Sequence, residues 1–391
     1  MVNETLVNDK KISFQPQGAP LKFMERIIYP VGFGAFFLEK FTSGEDEDLY
    51  VVYDCGSNTK GKKKYIADTI KNEIPKVDIL FISHFHEDHI NCIDKLPIST
   101  NTIVVLPYIC VTYQIVFEKI CEIRYSSLLT YLTRIGAKIV YVDPFIVYRQ
   151  NGQNNNLQDN PIFYDIDKLP ESPVHISPFA KLRLKQWKWF FIPFHLQEKS
   201  VYEDFVYDAL AAGITQEQLE NYNGKCKTLT DNLKKIYAET CKKDRVCKNF
   251  NSSSMLVVSR PELKDEFRVS VKKYMPLRNF TTCDNPGCLY TGDFLLNYST
   301  YCKMLVKLYS ILMPFGVGTI QLPHHGSANG YDQHLYRDKE IQYVFCNCID
   351  KPSGHKPALL FKAVYDAVFK GKSFFAVMGD DKSRLEFEIY K

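Results

Sequence analysis

Residues 81 to 90, FISHFHEDHI, set three histidines, one glutamate and one aspartate within six residues, directly after the apolar run VDILFI. Polar groups at the end of a buried strand are costly unless something satisfies them. A chain carrying this stretch must therefore fold so that the strand's end opens onto a polar site. His84 and His86 are two apart, so extended backbone aims both side chains to one side, where two imidazoles can grip one metal ion. Asp88 and His89 follow at the expected turn into a helix, and the change of backbone direction can aim them at a second ion a few ångströms away. Four metal-capable groups on so short a tether are the pattern of a two-metal centre.

The rest of the chain supplies an ordinary globular frame. With 391 residues, 45% hydrophobic, it can bury one large core, or one core with a sizeable insertion, without disulfides. The formal net charge of +4 admits a phosphate-bearing partner but falls well short of binding nucleic acid by charge alone. The opening MVNETLVNDKKISFQPQG is polar, with no secretory core, and no apolar run has the length of a membrane span. The expectation is a cytoplasmic protein with no membrane contact. Its twelve cysteines are scattered, as suits a reducing compartment.

Short strand-like runs alternate with helical ones. RIIYPVGFGAFFLEKF (26–41) and DLYVVYDCGS (48–57) read as two strands around a polar turn, YIADTIKNEI as a helix, and KVDILFISHF, NTIVVLPYI and AKIVYVDPFIVY as strands. A polar loop occupies about 150–162, and a charged helical insertion about 197–248, interrupted at NYNGK. Strands resume at SSMLVVSR, CLYTGDFL, TIQLPHH, IQYVFCNC and SFFAVMGD, with YCKMLVKLYSILM and PALLFKAVYDAVF as helices. The organisation expected is a polar segment, 1–25, then one domain, 26–391, carrying the insertion.

H-F-H-E-D-H resembles the H-x-H-x-D-H signature of the metallo-β-lactamase superfamily. The resemblance implies an α+β fold, an αββα four-layer sandwich with a dinuclear metal site on one edge. V-G-F-G (31–34) and Y-D-C-G-S (53–57) look like its opening strands, with Asp54 near the site, and Y-T-G-D-F (290–294) like the motif whose aspartate, here Asp293, bridges both metals. L-P-H-H-G-S (322–327) and S-G-H-K-P (353–357), with NSSSMLVV before them, are similar to the hydrolase domain of DNA-uptake competence proteins of ComEC type. That branch implies phosphodiester cleavage in nucleic acid by a metal-activated water. The implied cofactor is a pair of divalent ions, zinc first and manganese second.

One departure stands out. The superfamily's third motif is a histidine shortly before the T-G-D strand, and KNFNSSSMLVV has none there. Asn249 or Asn251 offers only a weak oxygen ligand; His324 is the first candidate to complete the His84–His86 ion, with His195 an alternative better read as a packed core residue. His355 fits the final motif and would close the second ion with Asp88, His89 and Asp293. Asp88 is also the candidate acceptor for the attacking water's proton. His325 would protonate the leaving oxygen, bind phosphate, or orient His324. His175 and His334 receive no role.

Three weaker signals concern partners. In AKLRLKQWKWFF (180–191), alternation would put Lys181, Arg183, Lys185, Trp187 and Trp189 on one face, where cations and rings suit a nucleic-acid strand, unless the face is simply solvated. Lys185, Trp187 and Ser327 are the candidate substrate contacts, and KGKKKY (60–65) reads as a solvated loop. Cys241, Cys247, Cys283 and Cys288 are spaced too loosely for a strong zinc knuckle, and Cys55, though near the site, duplicates what metals supply. The insertion is a candidate docking surface for a protein partner. A thioester, lactam or lactone hydrolase on the same scaffold stays open, as does a hydrolase-fold effector subunit of a larger assembly.

Overall fold

The computed structural model describes residues 22–42, 47–109, 114–146, 162–197, 199–244, 254–263, 267–274, 282–294, 316–327, 339–348 and 364–391. The run expected as one strand over 26–41 is two. Strands β1 (Lys22–Ile28) and β2 (Gly34–Phe41) fold back antiparallel with Ile28 opposite Phe37, because Pro30 lacks the amide a ladder needs and YPVGF turns. Strand β1 starts at Lys22, four residues before the expected strand start at Arg26. The chain continues through β3 (Leu49–Ser57), α1 (Lys62–Glu73), β4 (Ile79–Phe81), α2 (Glu87–Ile90), β5 (Ile103–Pro107), α3 (Gln114–Ile120), α4 (Tyr125–Ile135) and β6 (Lys138–Val142). Next come β7 (Pro144–Ile146), β8 (Phe163–Asp165), β9 (Val174–Ile176), β10 (Lys181–Leu184) and β11 (Trp189–Gln197).

The described residues 199–244 are largely helical. They comprise α5 (Lys199–Ala211), α6 (Gln216–Glu220) and α7 (Lys227–Asp244), with breaks at 212–215 as well as at NYNGK. The first break is a capping box: Gln218 N–H donates to Thr215 Oγ1 at 3.1 Å, and Thr215 N–H to Gln218 Oε1 at 2.8 Å. Strands β12 (Met255–Pro261), β13 (Arg268–Lys273), β14 (Cys288–Tyr290), β15 (Thr319–Gln321), β16 (Tyr343–Asn347), β17 (Ser373–Val377) and β18 (Leu385–Tyr390) complete the fold. The expected loop near 150–161 and the helix at 301–313 lie outside the described residues, as does the first part of the helix expected at 357–369, of which 364–369 is helical.

Two sheets result. One runs β13-β18-β1-β2-β3-β4-β5-β6-β9; the other runs β17-β16-β15-β14-β12-β11-β10-β8, with β7 beside β11. Each has a parallel stretch, β3 to β9 in the first and β14 to β17 in the second. Met24, Phe37 and Val105 of the first sheet share one apolar cluster with Phe191, Val257 and Phe345 of the second, and among the described residues this cluster contains none of α1–α7. The sheets are therefore stacked face to face with helices outside. Ile66 and Ile70, one turn apart on α1, join Val52, Leu80 and Val104 in a second cluster beneath the helices. Each such side chain, fully buried, contributes about 1.5–3 kcal/mol relative to exposure.

One polar cluster interrupts the inter-sheet core. Arg26 and Glu39 are direct partners in the β1–β2 ladder, fully buried, with Arg26 Nε donating to Glu39 Oε1 at 2.8 Å. Tyr290 donates to the same oxygen at 3.0 Å; Tyr53 and Ser259 donate to Oε2 at 3.0 and 2.6 Å. Trp189 Nε1 in turn donates to Ser259 Oγ at 2.8 Å. Among the described residues no helix is long and apolar enough to cross a membrane.

Candidate metal centre

The site forms where parallel strands of both sheets end. His84, His86, Asp88 and His89 leave the end of β4, Asp293 follows β14, and His324 and His325 follow β15. Gly56 in β3 lets this edge close up: a Cβ there would meet the Asp88 backbone at 2.7 Å and His89 at 2.8 Å. Gly292, at φ 52, does the same for Asp293, since a Cβ would lie 2.7 Å from Ser83 Cβ. Gly56→Ala should accordingly cost about 1–3 kcal/mol in urea unfolding by overpacking against backbone. A variant as stable as the wild type would contradict that packing.

Asp54 is the extra residue of a β-bulge, where β3 slips against β2, and its φ of 51 turns the carboxylate into the site. Its Oδ2 lies 2.7 Å from His89 Nδ1 and accepts from Ser83 Oγ at 2.6 Å, while Oδ1 accepts from the Ser83 amide at 2.8 Å. His89 is thereby left with Nε2 facing inward. His325 is oriented in the same way, with Nδ1 at 3.2 Å from the Asn347 carbonyl and its ring 4.4 Å from that of Phe33. Ser83 Oγ also lies 3.0 Å from His84 Nδ1.

The Asp293 carboxylate stands between two groups of imidazoles. Oδ1 is 3.2 Å from His89 Nε2 and 3.5 Å from His325 Nε2; Oδ2 is 3.8 Å from both His84 Nε2 and His324 Nε2. His325 Nε2 is also 3.2 Å from Asp88 Oδ2, and ligand atoms of Asp88, His89, Asp293 and His325 lie within 4.8 Å of one another. The His84 and His86 rings are 4.8 Å apart, near perpendicular.

Charge follows position. Burial alone would raise the Asp293 carboxyl, but His325 and His89 beside it hold it well below the ordinary carboxylate range. Burial pushes His84 well down and lowers His86 and His324, leaving neutral imidazoles. It would lower His89 as well, yet Asp293, Asp54 and Asp88 raise that ring well above its usual value. Three carboxylates converging in a buried space demand positive charge, and His84 Nε2, buried and aimed at Asp293, makes no hydrogen bond. The donor set of imidazoles and carboxylates at this edge fits divalent ions.

The sequence candidates divide clearly. His84, His86, Asp88, His89, Asp293 and His324 lie at one edge of the fold, and the His325 Nε2 stands between Asp88 and Asp293. His355, Asn249 and Asn251 lie outside the described residues, as do Cys247 and the Cys241 side chain. Ser254, buried in the run NSSSMLVV, offers no nitrogen; the His324 imidazole, in the turn after β15, stands 3.8 Å from Asp293 Oδ2. Ser327 is half-buried beyond His325.

The basic-aromatic face of 180–191 does not form. β10 and β11 are a hairpin with Leu184 opposite Trp189, and Lys188 at φ 50 turns the chain, reversing which side alternate residues face. Lys185 is exposed at the turn, whereas Trp187 packs against Phe23 and Phe41 in the core and Trp189 is fully buried. Arg183 pairs with Glu262 at 2.6 Å. A stacking role for Trp187 is ruled out by its burial. Cys283 and Cys288 are thiols pushed by burial up to about 11 and about 12, which disfavours thiolate ligation. Burial likewise pushes Cys55 well above its usual value.

His195 is a core residue, buried in β11 and apart from the metal-capable cluster. Burial pushes its ring from 6.5 down to about 4, against the opposing pull of the Val142 backbone. The folded state therefore binds fewer protons than the unfolded one between those values, and stability falls as pH drops through that window. At about 1.4 kcal/mol per pKa unit the loss approaches about 3 kcal/mol. Urea unfolding at neutral pH and near the lower limit should show His195→Leu losing that much less than the wild type. Equal acid losses would refute a buried neutral ring.

Comparison with curated proteins, and with solved structures, found no match. Among family models, that of the metallo-beta-lactamase superfamily matches residues 43–181. The match takes in β3 to β9 and the His84–His89 stretch, while Asp293, His324 and His325 lie beyond it. Residues 43–181 are thus similar to the metallo-beta-lactamase superfamily, and the metal-capable cluster lies where that segment meets the second of two stacked sheets.

Proposed function

We propose that the protein is a metal-dependent hydrolase that cleaves phosphodiester bonds of nucleic acid at a dinuclear centre. His84, His86 and His324 hold one ion, Asp88, His89 and His325 the other, and Asp293 is shared. The observation that carries this reading is the Asp293 carboxylate, with Oδ1 facing His89 and His325 at 3.2 and 3.5 Å, and Oδ2 facing His84 and His324 at 3.8 Å. Paired divalent cations, zinc in the first instance and manganese as the alternative, supply Lewis acidity, an acidified water and a clamp on the entering and leaving oxygens of an in-line displacement.

The residues divide the remaining work. Burial keeps His84, His86 and His324 neutral, so their nitrogens are available as ligands. Asp88 accepts the proton of the attacking water. His325, held between Asp88 and Asp293 with its Nδ1 on the Asn347 carbonyl, acts as a ligand rather than as the leaving-group acid. Asp54 and Ser83 orient His89 and His84, and Phe33 walls the site beside His325. Ser327 is the candidate contact to a phosphate oxygen. The likeness of H-H-G-S to ComEC-type hydrolase domains supports phosphorus over acyl carbon. Tyr207 and Leu210, exposed on α5, support the insertion as a contact for a protein partner.

The test is incubation of the zinc- or manganese-loaded protein with single- and double-stranded DNA, RNA, bis(p-nitrophenyl) phosphate, a thioester, a lactone and a lactam. Phosphodiester cleavage is expected, and its loss in the Asp88→Ala, His89→Ala double variant. Turnover of an acyl substrate with every phosphodiester intact would overturn the proposal.

A further inference from the structure

We infer that the two halves of this centre fill in order: the Asp88–His89–His325 half tightly and first, the His84–His86–His324 half more weakly and second, so that the second half responds to the supply of divalent ion. The inference rests on the dinuclear reading above and goes beyond it, since nothing in that reading makes the halves unequal.

The first half is held closely by its own surroundings. Its four ligand atoms lie within 4.8 Å of one another. His89 is fully buried, and Asp88, Asp293 and His325 are at most 7% exposed. Both rings have their outer nitrogen engaged, His89 by Asp54 at 2.7 Å and His325 by the Asn347 carbonyl at 3.2 Å. Those partners are fixed in turn. Ser83 donates twice to Asp54, at 2.8 and 2.6 Å, and Asn347 Nδ2 donates to the Tyr29 carbonyl at 3.2 Å. Gly56 holds the Asp88–His89 backbone so closely that a single Cβ would collide with it. A donor set fixed in this way has little ordering left to lose on binding.

The other half is looser at His86 and His324, although His84 is buried with its Nδ1 3.0 Å from Ser83 Oγ. His84 and His324 each stand 3.8 Å from Asp293 Oδ2. His324 is 21% exposed and sits at φ 49 in a short turn. His86 is half-buried, and its backbone partner is Cys121, in the turn between α3 and α4. That turn is tied down by surface ion pairs, Lys234 of α7 with Glu122 at 2.7 Å and Arg124 with Glu87. Exposed pairs of this kind contribute about 0–1 kcal/mol each. Charge points the same way. Both halves offer imidazole, but the first adds two carboxylates, whereas the second has only the far oxygen of Asp293.

The order is read without substrate. Apo-protein titrated with Zn2+ by calorimetry, and with Co2+ followed by visible absorption, should show two separate one-equivalent steps. Their dissociation constants should differ by at least about tenfold, the lower end of what supporting partners contribute to metal affinity. His325→Ala should remove the tight step, His324→Ala only the weak one. Asp54→Ala, which removes no ligand, should weaken the tight step more than the weak one, because Asp54 contacts His89 directly and His84 only through Ser83, with circular dichroism confirming the fold. A single two-equivalent step in the wild type, or loss of the tight step in His324→Ala with its retention in His325→Ala, would overturn the order. The wild-type isotherm stands even where a variant does not fold. Failure to bind either ion would instead remove the dinuclear reading, which separates the two failures.

Discussion

Asp293→Asn should lower kcat/KM for the proposed phosphodiester cleavage by about 10²–10³-fold, the scale on which loss of one electrostatic group at a reacting centre is felt. The reason is geometric. Among the described residues Asp293 is the side chain that faces both imidazole groups, 3.2 Å from His89 on one oxygen and 3.8 Å from His84 on the other. An amide presents one neutral oxygen and one NH2 group where a charged, two-sided carboxylate stood, and the NH2 nitrogen has no lone pair to offer an ion. Metal content after dialysis should fall with activity. Activity within tenfold of the wild type, with both ions retained, would show that the halves do not depend on a shared carboxylate.

Glu39→Ala is the corresponding experiment for stability, with an expected loss of about 3–5 kcal/mol, the cost of breaking a buried ion pair by removing one partner. It would strand the fully buried Arg26 and take the acceptor from Tyr53, Tyr290 and Ser259 at once. Because β1, β2 and β3 contribute Arg26, Glu39 and Tyr53, and β12 and β14 contribute Ser259 and Tyr290, the damage spans both sheets. The double variant Arg26→Met, Glu39→Leu separates the charge effect from shape. With both charges gone it should recover most of the loss in urea unfolding. A double variant no better than Glu39→Ala would show that the hydroxyl network matters more than the charges.

What the sequence makes legible depends on how local the determining contact is. His84 to His89 are tethered within six residues, so their convergence can be read from spacing alone. Asp293 and His324 were recoverable through motif resemblance, although the distances that join them to His84 are long-range facts. The role of His325 was less legible, because it depends on the Asn347 carbonyl arriving from β16. Alternation misled at Trp187: the pattern of 180–191 is unbroken, but Lys188 at φ 50 reverses the chain and sends both tryptophans inward. Arg26 and Glu39 look like surface charges until the β1–β2 register sets them opposite one another. Strands β13 and β18 are short and moderately charged, and they gain their place by pairing with each other and with β1.

The metal-capable edge draws its ligands from two sheets. His84 to His89 hang from the first, and Asp293, His324 and His325 from the second. An ion gripped from both sides would act as a cross-link between chain segments some two hundred residues apart, binding the folded protein and not the unfolded chain. Opening of the sandwich and release of such an ion would then be a single thermodynamic event, with resistance to heat or protease set by the free concentration of the ion as well as by the core.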